Sequence, residues 1–142
     1  MQMMDNGNPS PAELRQVFKI HADLCKALAN EHRLAIMYAL SQGEMCVTDL
    51  TAEIGLSVHN VSQHLRILQE RLLVRPRKEG KRVYYSVTDL KFIQACTLIR
   101  QALVEQLRGA NQTLLTADLM DAVARIVVPE SVKPATDTSD ER

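Results

Sequence analysis

The segment LSVHNVSQHLRILQERLLVRPRKEGKRVYYSV, residues 56–87, constrains the fold more than any other part of the chain. It runs an amphipathic helix directly into a basic β-hairpin. On a wheel of about 100° per residue, Val58, Val61, Leu65, Leu68 and Leu72 fall in one narrow stripe, alternately three and four apart. His59, Asn60, Gln63 and Arg66 fall on the opposite side, where side chains can pair with base edges in a major groove wide enough for a helix. Ile67 also points outward, so that face is not uniformly polar. Ser57 is placed to cap the helix. Leu73 and Val74 then start a strand, and Gly80 within KEGKR (residues 78–82) supplies a tight turn. In the return strand Val83, Tyr85 and Val87 alternate with Arg82, Tyr84 and Ser86, the period of a half-buried strand. Pro76, which has no N–H to donate, suits an edge or a bulge. Between residues 57 and 82 there are seven cations (Arg66, Arg71, Arg75, Arg77, Lys78, Lys81 and Arg82) against two anions (Glu70 and Glu79). That net of +5 sits in a chain whose formal charge is zero. Charge segregated in this way is the footprint expected for phosphate contact.

The flanking sequence reads as helices. Pro11 or Ala12 opens the first, with Leu14, Val17, Phe18, His21, Leu24, Cys25 and Leu28 at helical spacing. Asn30 caps a second helix that ends at Gly43. A short third helix covers residues 47–54, capped by Thr48 or preceded by a bend, and Gly55 breaks it. The third and fourth helices make a helix-turn-helix. After the hairpin, Thr88 or Asp89 caps a long helix ending at Gly109. A further helix is expected over residues 111–127. Its apolar stripe includes Leu115, Leu119 and Val123, and Pro129 stops it. The expected organisation is a disordered N-terminus (1–10), a winged helix-turn-helix domain (11–108), an additional C-terminal helix (109–128) and a disordered tail (129–142). The fold class is therefore mainly α, with a two-stranded β-wing and extra N- and C-terminal helices forming a dimer interface. Those outer helices carry more apolar surface than one small reading head can cover. A two-fold dimer uses the surplus and sets two recognition helices about one duplex turn apart, to read an inverted repeat. The alternative is that they pad the core of a monomer.

Composition narrows the function classes. Aromatic residues make up only 4% of the chain, so the core must be aliphatic and stacking on single-stranded nucleic acid is disfavoured. No apolar run has the length of a membrane span, and the N-terminus lacks a signal-peptide pattern, so a cytoplasmic protein without a membrane partner is expected. Three cysteines in a reducing compartment do not make a disulfide framework. No Gly-rich phosphate loop, metal-ligand cluster or nucleophile–base motif supports an enzyme. A winged helix used only for protein contact would want an apolar or acidic surface, contrary to residues 75–82.

The order of these elements resembles the ArsR/SmtB family of winged-helix repressors. The matching motifs are KALANEHRLAIMYAL (26–40), GEMCVTDL (43–50), GLSVHNVSQHLRILQERLLV (55–74) and EGKRVYYSV (79–87), within a similarity covering roughly residues 15–108. The resemblance implies a homodimeric repressor on double-stranded operator DNA. It implies release by an inducer, usually a metal or metalloid ion, sometimes an oxidant or a reactive sulfur species, with no cofactor required. It places the recognition motif on Ser57, Ser62, Gln63, His64 and Leu65. The wheel agrees for Gln63 and sets Ser62 and His64 on the flanks of the core stripe, where they would touch backbone rather than read bases, or His64 would partly pack. The expected DNA-contacting set is Ser57, His59, Asn60, Ser62, Gln63, His64 and Arg66, with Arg77, Lys78, Lys81, Arg82 and Tyr84 from the wing.

The inducer is less determined. Where the resemblance implies a thiolate cluster at the start of the third helix, this chain has Cys46, Thr48 and Thr51, one thiol of three. Where it implies Asp, His, His and Glu along the helix after the wing, that helix has no histidine, and Asp89 and Glu105 alone make no zinc site. The remaining candidates are Cys25, Cys46 and Cys96, on three elements. Cys25 and Cys96 lie at or beside apolar stripes, and the resemblance implies that the first and last helices pack together at the dimer interface, so the two could approach within a protomer or across it. They would form an oxidisable dithiol, or two of three ligands to arsenite with Cys46 or a partner-chain thiol as the third. Cys46 is expected nearer to solvent. The competing reading is that each cysteine is a buried small hydrophobe.

Overall fold

The computed structural model describes residues 7–109, 117–126 and 128–131. Nine elements follow in chain order: α1 (Pro11–Leu28), α2 (Glu31–Ser41), β1 (Met45–Cys46), α3 (Val47–Ile54), α4 (Val58–Glu70), β2 (Val74–Glu79), β3 (Arg82–Val87), α5 (Lys91–Gly109) and α6 (Ala117–Ala124). The helix starts are fixed by side chains that satisfy otherwise unpaired N–H groups. The Ser10 hydroxyl accepts from the Glu13 N–H at 3.3 Å while the Glu13 carboxylate accepts from the Ser10 N–H at 2.7 Å, a reciprocal cap on α1. Asn30 Oδ1 accepts from the N–H groups of His32 and Arg33 on α2. Ser57 Oγ accepts from the Asn60 N–H on α4. The Lys91 N–H donates to Asp89, whereas Thr88 donates its hydroxyl to the carbonyls of Leu72 and Leu73. Asp89 is thus the residue that caps α5. At α3, Cys46 occupies the cap position without a side-chain bond, so the bend before the helix replaces the Thr48 cap. Gly55 ends α3 with φ +76°, a left-handed conformation that favours glycine.

The wing differs from the expected two strands. β1 pairs antiparallel with β3, giving a three-stranded sheet in the order β1-β3-β2, with Cys46 opposite Tyr84 and Arg77 opposite Tyr84 on the other side. Two residues between Glu44 and α3 are too few for a periodicity signal. Only pairing with β3 reveals them.

The core is aliphatic, as the composition requires: Ile36, Met37, Leu40, Leu50, Val61, Leu65, Leu68, Leu73, Val74, Val87 and Ile93 pack as one cluster. The amphipathic stripe of α4 is shorter than the wheel suggests. Val61, Leu65 and Leu68 are buried, but Val58 is 56% exposed and Leu72 is 76% exposed. Helix α4 stops at Glu70 and Leu72 adopts φ +59°, which turns its side chain away from the core. The Leu73 N–H meanwhile closes the helix end on the Leu68 carbonyl at 3.0 Å.

The outer helices meet the core along only part of their apolar surface. In α1 only Ala27 is buried, with Leu24 and Leu28 packed partly against the cluster. Leu14, Val17, Phe18 and Ile20 are exposed, Phe18 at 61%. In α5 Ile93 and Val104 turn inward while Leu98, Ile99 and Leu103 stay exposed. The expected helix over residues 111–127 is described only as α6; residues 110–116 and 127 lie outside the described residues, as do 1–6 and 132–142 of the two expected tails.

Candidate nucleic-acid interface and thiol site

Helix α4 presents Ser57, His59, Asn60, Ser62, Gln63 and Arg66 on its exposed side. The Ser57 hydroxyl serves as helix cap through its lone pair, leaving its own hydrogen available. Arg66 meets Glu70 one turn on at 3.3 Å, both side chains exposed, a contact too weak to prevent it from turning to a phosphate. His64 is different. It is half-buried between α4 and α2, with Nδ1 3.5 Å from Arg33 Nη1 and its ring 5.7 Å from that of His32. Burial, then the charges of Arg33 and His32, push its pKa below the ordinary histidine value. Among the expected contacts on α4 it is the one that faces the protein.

On the wing, Lys78, Lys81 and Arg82 are exposed around the Gly80 turn, where φ is +59°. Arg77 is committed elsewhere. It makes a forked ion pair with Glu44 and a 2.6 Å contact with Glu79, and its guanidinium lies 5.1 Å from the Tyr84 ring centroid. These partners keep it firmly protonated. Tyr84, expected on the outward face with Arg82, is buried at 8% exposure. Alternation placed it correctly on the face opposite Val83 and Val87. Cys46 and Arg77 flank it as cross-strand neighbours, and the Arg77 guanidinium lies over its ring, so Tyr84 packs within the wing. Glu44 was not visible as a partner for Arg77, because 33 residues separate them; a lone carboxylate just before β1, facing a run of cations, was the available signal.

The cysteines separate into two places. Cys25 and Cys96 line one cavity of about 260 Å³ with Leu28, Ala29, Leu34, Ile99 and Arg100. Cys25 is exposed and Cys96 half-buried. Burial raises the Cys96 thiol above its ordinary pKa, the Arg100 charge opposes that shift, and Cys25 adds to it. Arg100 donates from Nη2 to Thr97 at 3.1 Å while its buried Nε–H has no partner among the described residues. Cys46, expected nearer to solvent, is instead 6% exposed, held in β1 opposite Tyr84. It lines a different cavity with Val47, Thr48, Asp49, Lys81, Arg82 and Val83. The threonines at the other implied ligand places do not help it: Thr51 donates to the Val47 carbonyl at 2.8 Å, and Thr48 is exposed. Among the described residues no three His, Cys, Asp or Glu side chains gather at metal-binding spacing. Two thiols beside a guanidinium, in a mostly apolar cavity, are two donors where a soft ion wants three or four.

No helix among the described residues is long and apolar enough to cross a membrane. Residues 30–75 match the family model described as bacterial regulatory protein, arsR family. A cadmium resistance transcriptional regulatory protein CadC homolog of Staphylococcus aureus is 37% identical over 108 residues, covering 75% of this chain and 81% of that one. A transcriptional repressor SmtB homolog of Synechocystis is 46% identical over 68 residues, covering 48% of this chain and about half (52%) of the relative. Among solved structures, the homodimeric winged helix-turn-helix DNA-binding domain of a possible ArsR-family regulator from Mycobacterium bovis superposes with a TM-score of 0.62. It is 29% identical and covers 70% of this chain and 93% of its own.

Proposed function

The chain belongs to the ArsR family of bacterial regulatory proteins, and from that premise we propose that it is a homodimeric repressor. It would bind an inverted-repeat operator through α4 and the wing and leave it when Cys25 and Cys96 react. The observation that carries the DNA reading is the exposed polar face of α4 continued by Lys78, Lys81 and Arg82. His59, Asn60, Gln63 and Arg66 would face the groove, Ser57 and Ser62 would touch backbone, and the wing lysines with Arg82 would meet phosphate. Val17, Phe18 and Ile20 of α1 with Leu98, Ile99 and Leu103 of α5 offer the apolar face a second copy would cover. Anisotropy titration at moderate salt tests the reading with two labelled duplexes, one from upstream of the coding sequence and one random. Specific binding should exceed random by about 10³ or more; equal affinity for the two sinks it.

The shared cavity of Cys25 and Cys96 supports a dithiol as the sensing group. A reactive disulfide or polysulfide would supply the chemistry. One cysteine sulfur attacks the S–S bond and displaces a thiol. The second cysteine then attacks the mixed species and displaces the other thiol. Two protein thiols lose two hydrogens and gain one S–S bond, and the reagent's S–S bond becomes two thiols. A second reading, favoured by the name of the cadmium resistance relative, is that a thiophilic ion binds the same pair. It needs at least one ligand from beyond the single protomer's cavity.

A further inference from the structure

Arg33 ties three helices together with one side chain. It lies in the first turn of α2, where its N–H already donates to the Asn30 cap at 3.1 Å. Its Nε donates to the Ala27 carbonyl, its Nη2 to the Lys26 carbonyl at 3.3 Å, and its Nη1 reaches His64 Nδ1 at 3.5 Å. The two carbonyls belong to the last turn of α1, whose acceptors have few partners inside the helix. The third acceptor is on the DNA-reading helix. Only a planar guanidinium carries donors in the fork that meets three acceptors from three directions. His64 must accept at Nδ1, which leaves its hydrogen on Nε2 and keeps the ring neutral.

The other end of this link is the thiol cavity. Cys25 directly precedes Lys26, and Leu28 and Ala29 line the same cavity as Cys25 and Cys96. A change that draws Cys25 toward α5 therefore displaces the turn whose carbonyls Arg33 grips.

We propose that Arg33 is the positioning residue that holds α4 in register with the last turn of α1, and that it transmits thiol chemistry at Cys25 to the DNA-reading helix through His64. The inference deepens the proposed function and rests on it for what moves α1. Arg33 is not among the residues lining the thiol cavity and lies on α2, not on the DNA-reading helix. Its loss should change how strongly the two sites are coupled, rather than the chemistry at either.

The test uses full-length wild type, Arg33→Gln, and Arg33→Lys, which keeps the charge but lacks the planar fork that spans the three acceptors. Operator affinity is measured reduced and after treatment with an organic polysulfide. Hydrogen exchange of α4 amides around His64 is measured on the reduced proteins. Expected are a reduced-to-oxidised affinity ratio at least fivefold smaller in Arg33→Gln than in wild type, and α4 exchange about tenfold faster, with Arg33→Lys between. If wild type responds and either variant shows the wild-type ratio, the transmission role is overturned. If wild type does not respond to polysulfide, the dithiol reading fails by itself, and α4 exchange decides Arg33: unchanged protection in both variants overturns the positioning role. Should Arg33→Gln not fold, Arg33→Lys supplies both readouts.

Discussion

Replacing Lys81 with alanine should weaken operator binding on every sequence alike and flatten its dependence on salt. Lys81 stands exposed beside the Gly80 turn and makes no ion pair among the described residues, so its charge is available to a phosphate. Each phosphate neutralised on duplex DNA contributes about −0.9 to the slope of log affinity against log salt. A two-fold dimer loses two such contacts per substitution, so the slope should become shallower by about 1.8. Between about 50 and 200 mM salt, that difference amounts to roughly twelvefold less loss of affinity than wild type suffers. Anisotropy on a labelled operator duplex across that range reads it directly. Arg77→Ala is the internal control. The guanidinium is already matched by Glu44 and Glu79 and sits over Tyr84. Its removal should change the slope by less than half as much. A wild-type slope for Lys81→Ala, or an equal effect from Arg77→Ala, refutes this assignment of the wing charges.

Other expectations bear on the fold and its assembly. Leu65→Ala should cost about 2–5 kcal/mol, because it opens space in a closed core, whereas Leu72→Ala should cost under about 0.5 kcal/mol. Urea melts that penalise both equally would contradict the short stripe of α4. His64 has a lowered folded-state pKa, so the unfolded chain takes up the proton first as pH falls. Its contribution to stability is complete above about 6.5 and is lost as pH drops through the lower folded value, with His32 and Arg33 as the facing groups. His64→Leu should flatten that acid-side decline in the urea midpoint, and an unchanged decline argues that other groups carry it. Phe18→Glu places a charge in the exposed apolar face of α1 and should shift sedimentation from dimer to monomer. A variant that remains dimeric moves the interface elsewhere.

Helix positions and caps were legible because they depend on local chemistry. Ser10, Asn30, Ser57 and Asp89 act within three residues of themselves, and α3 occupies residues 47–54 as read from its pattern. What the sequence concealed was tertiary. The pairing of β1 with β3 and the Glu44–Arg77 bond are made by partners more than thirty residues apart. Together with them, the cover over Tyr84 came into view only with the fold. Helical periodicity extended the α4 stripe to Val58 and Leu72, since a wheel has no term for where the chain leaves the helix. Periodicity placed Cys25 and Cys96 at or beside apolar stripes, while their approach followed from the resemblance; the two line one cavity. It gave no hint that the short strand β1 would bury Cys46.

In the proposed function, DNA release depends on one pair of thiols. Operator affinity of wild type, Cys25→Ser, Cys96→Ser and Cys46→Ser, each reduced and then exposed to polysulfide, tests that dependence. Wild type and Cys46→Ser should lose affinity by at least about tenfold on exposure, within the usual range of coupling between sites, while Cys25→Ser and Cys96→Ser should hold their reduced affinity. A Cys46→Ser protein that no longer responds, or Cys25→Ser and Cys96→Ser proteins that still do, would contradict it.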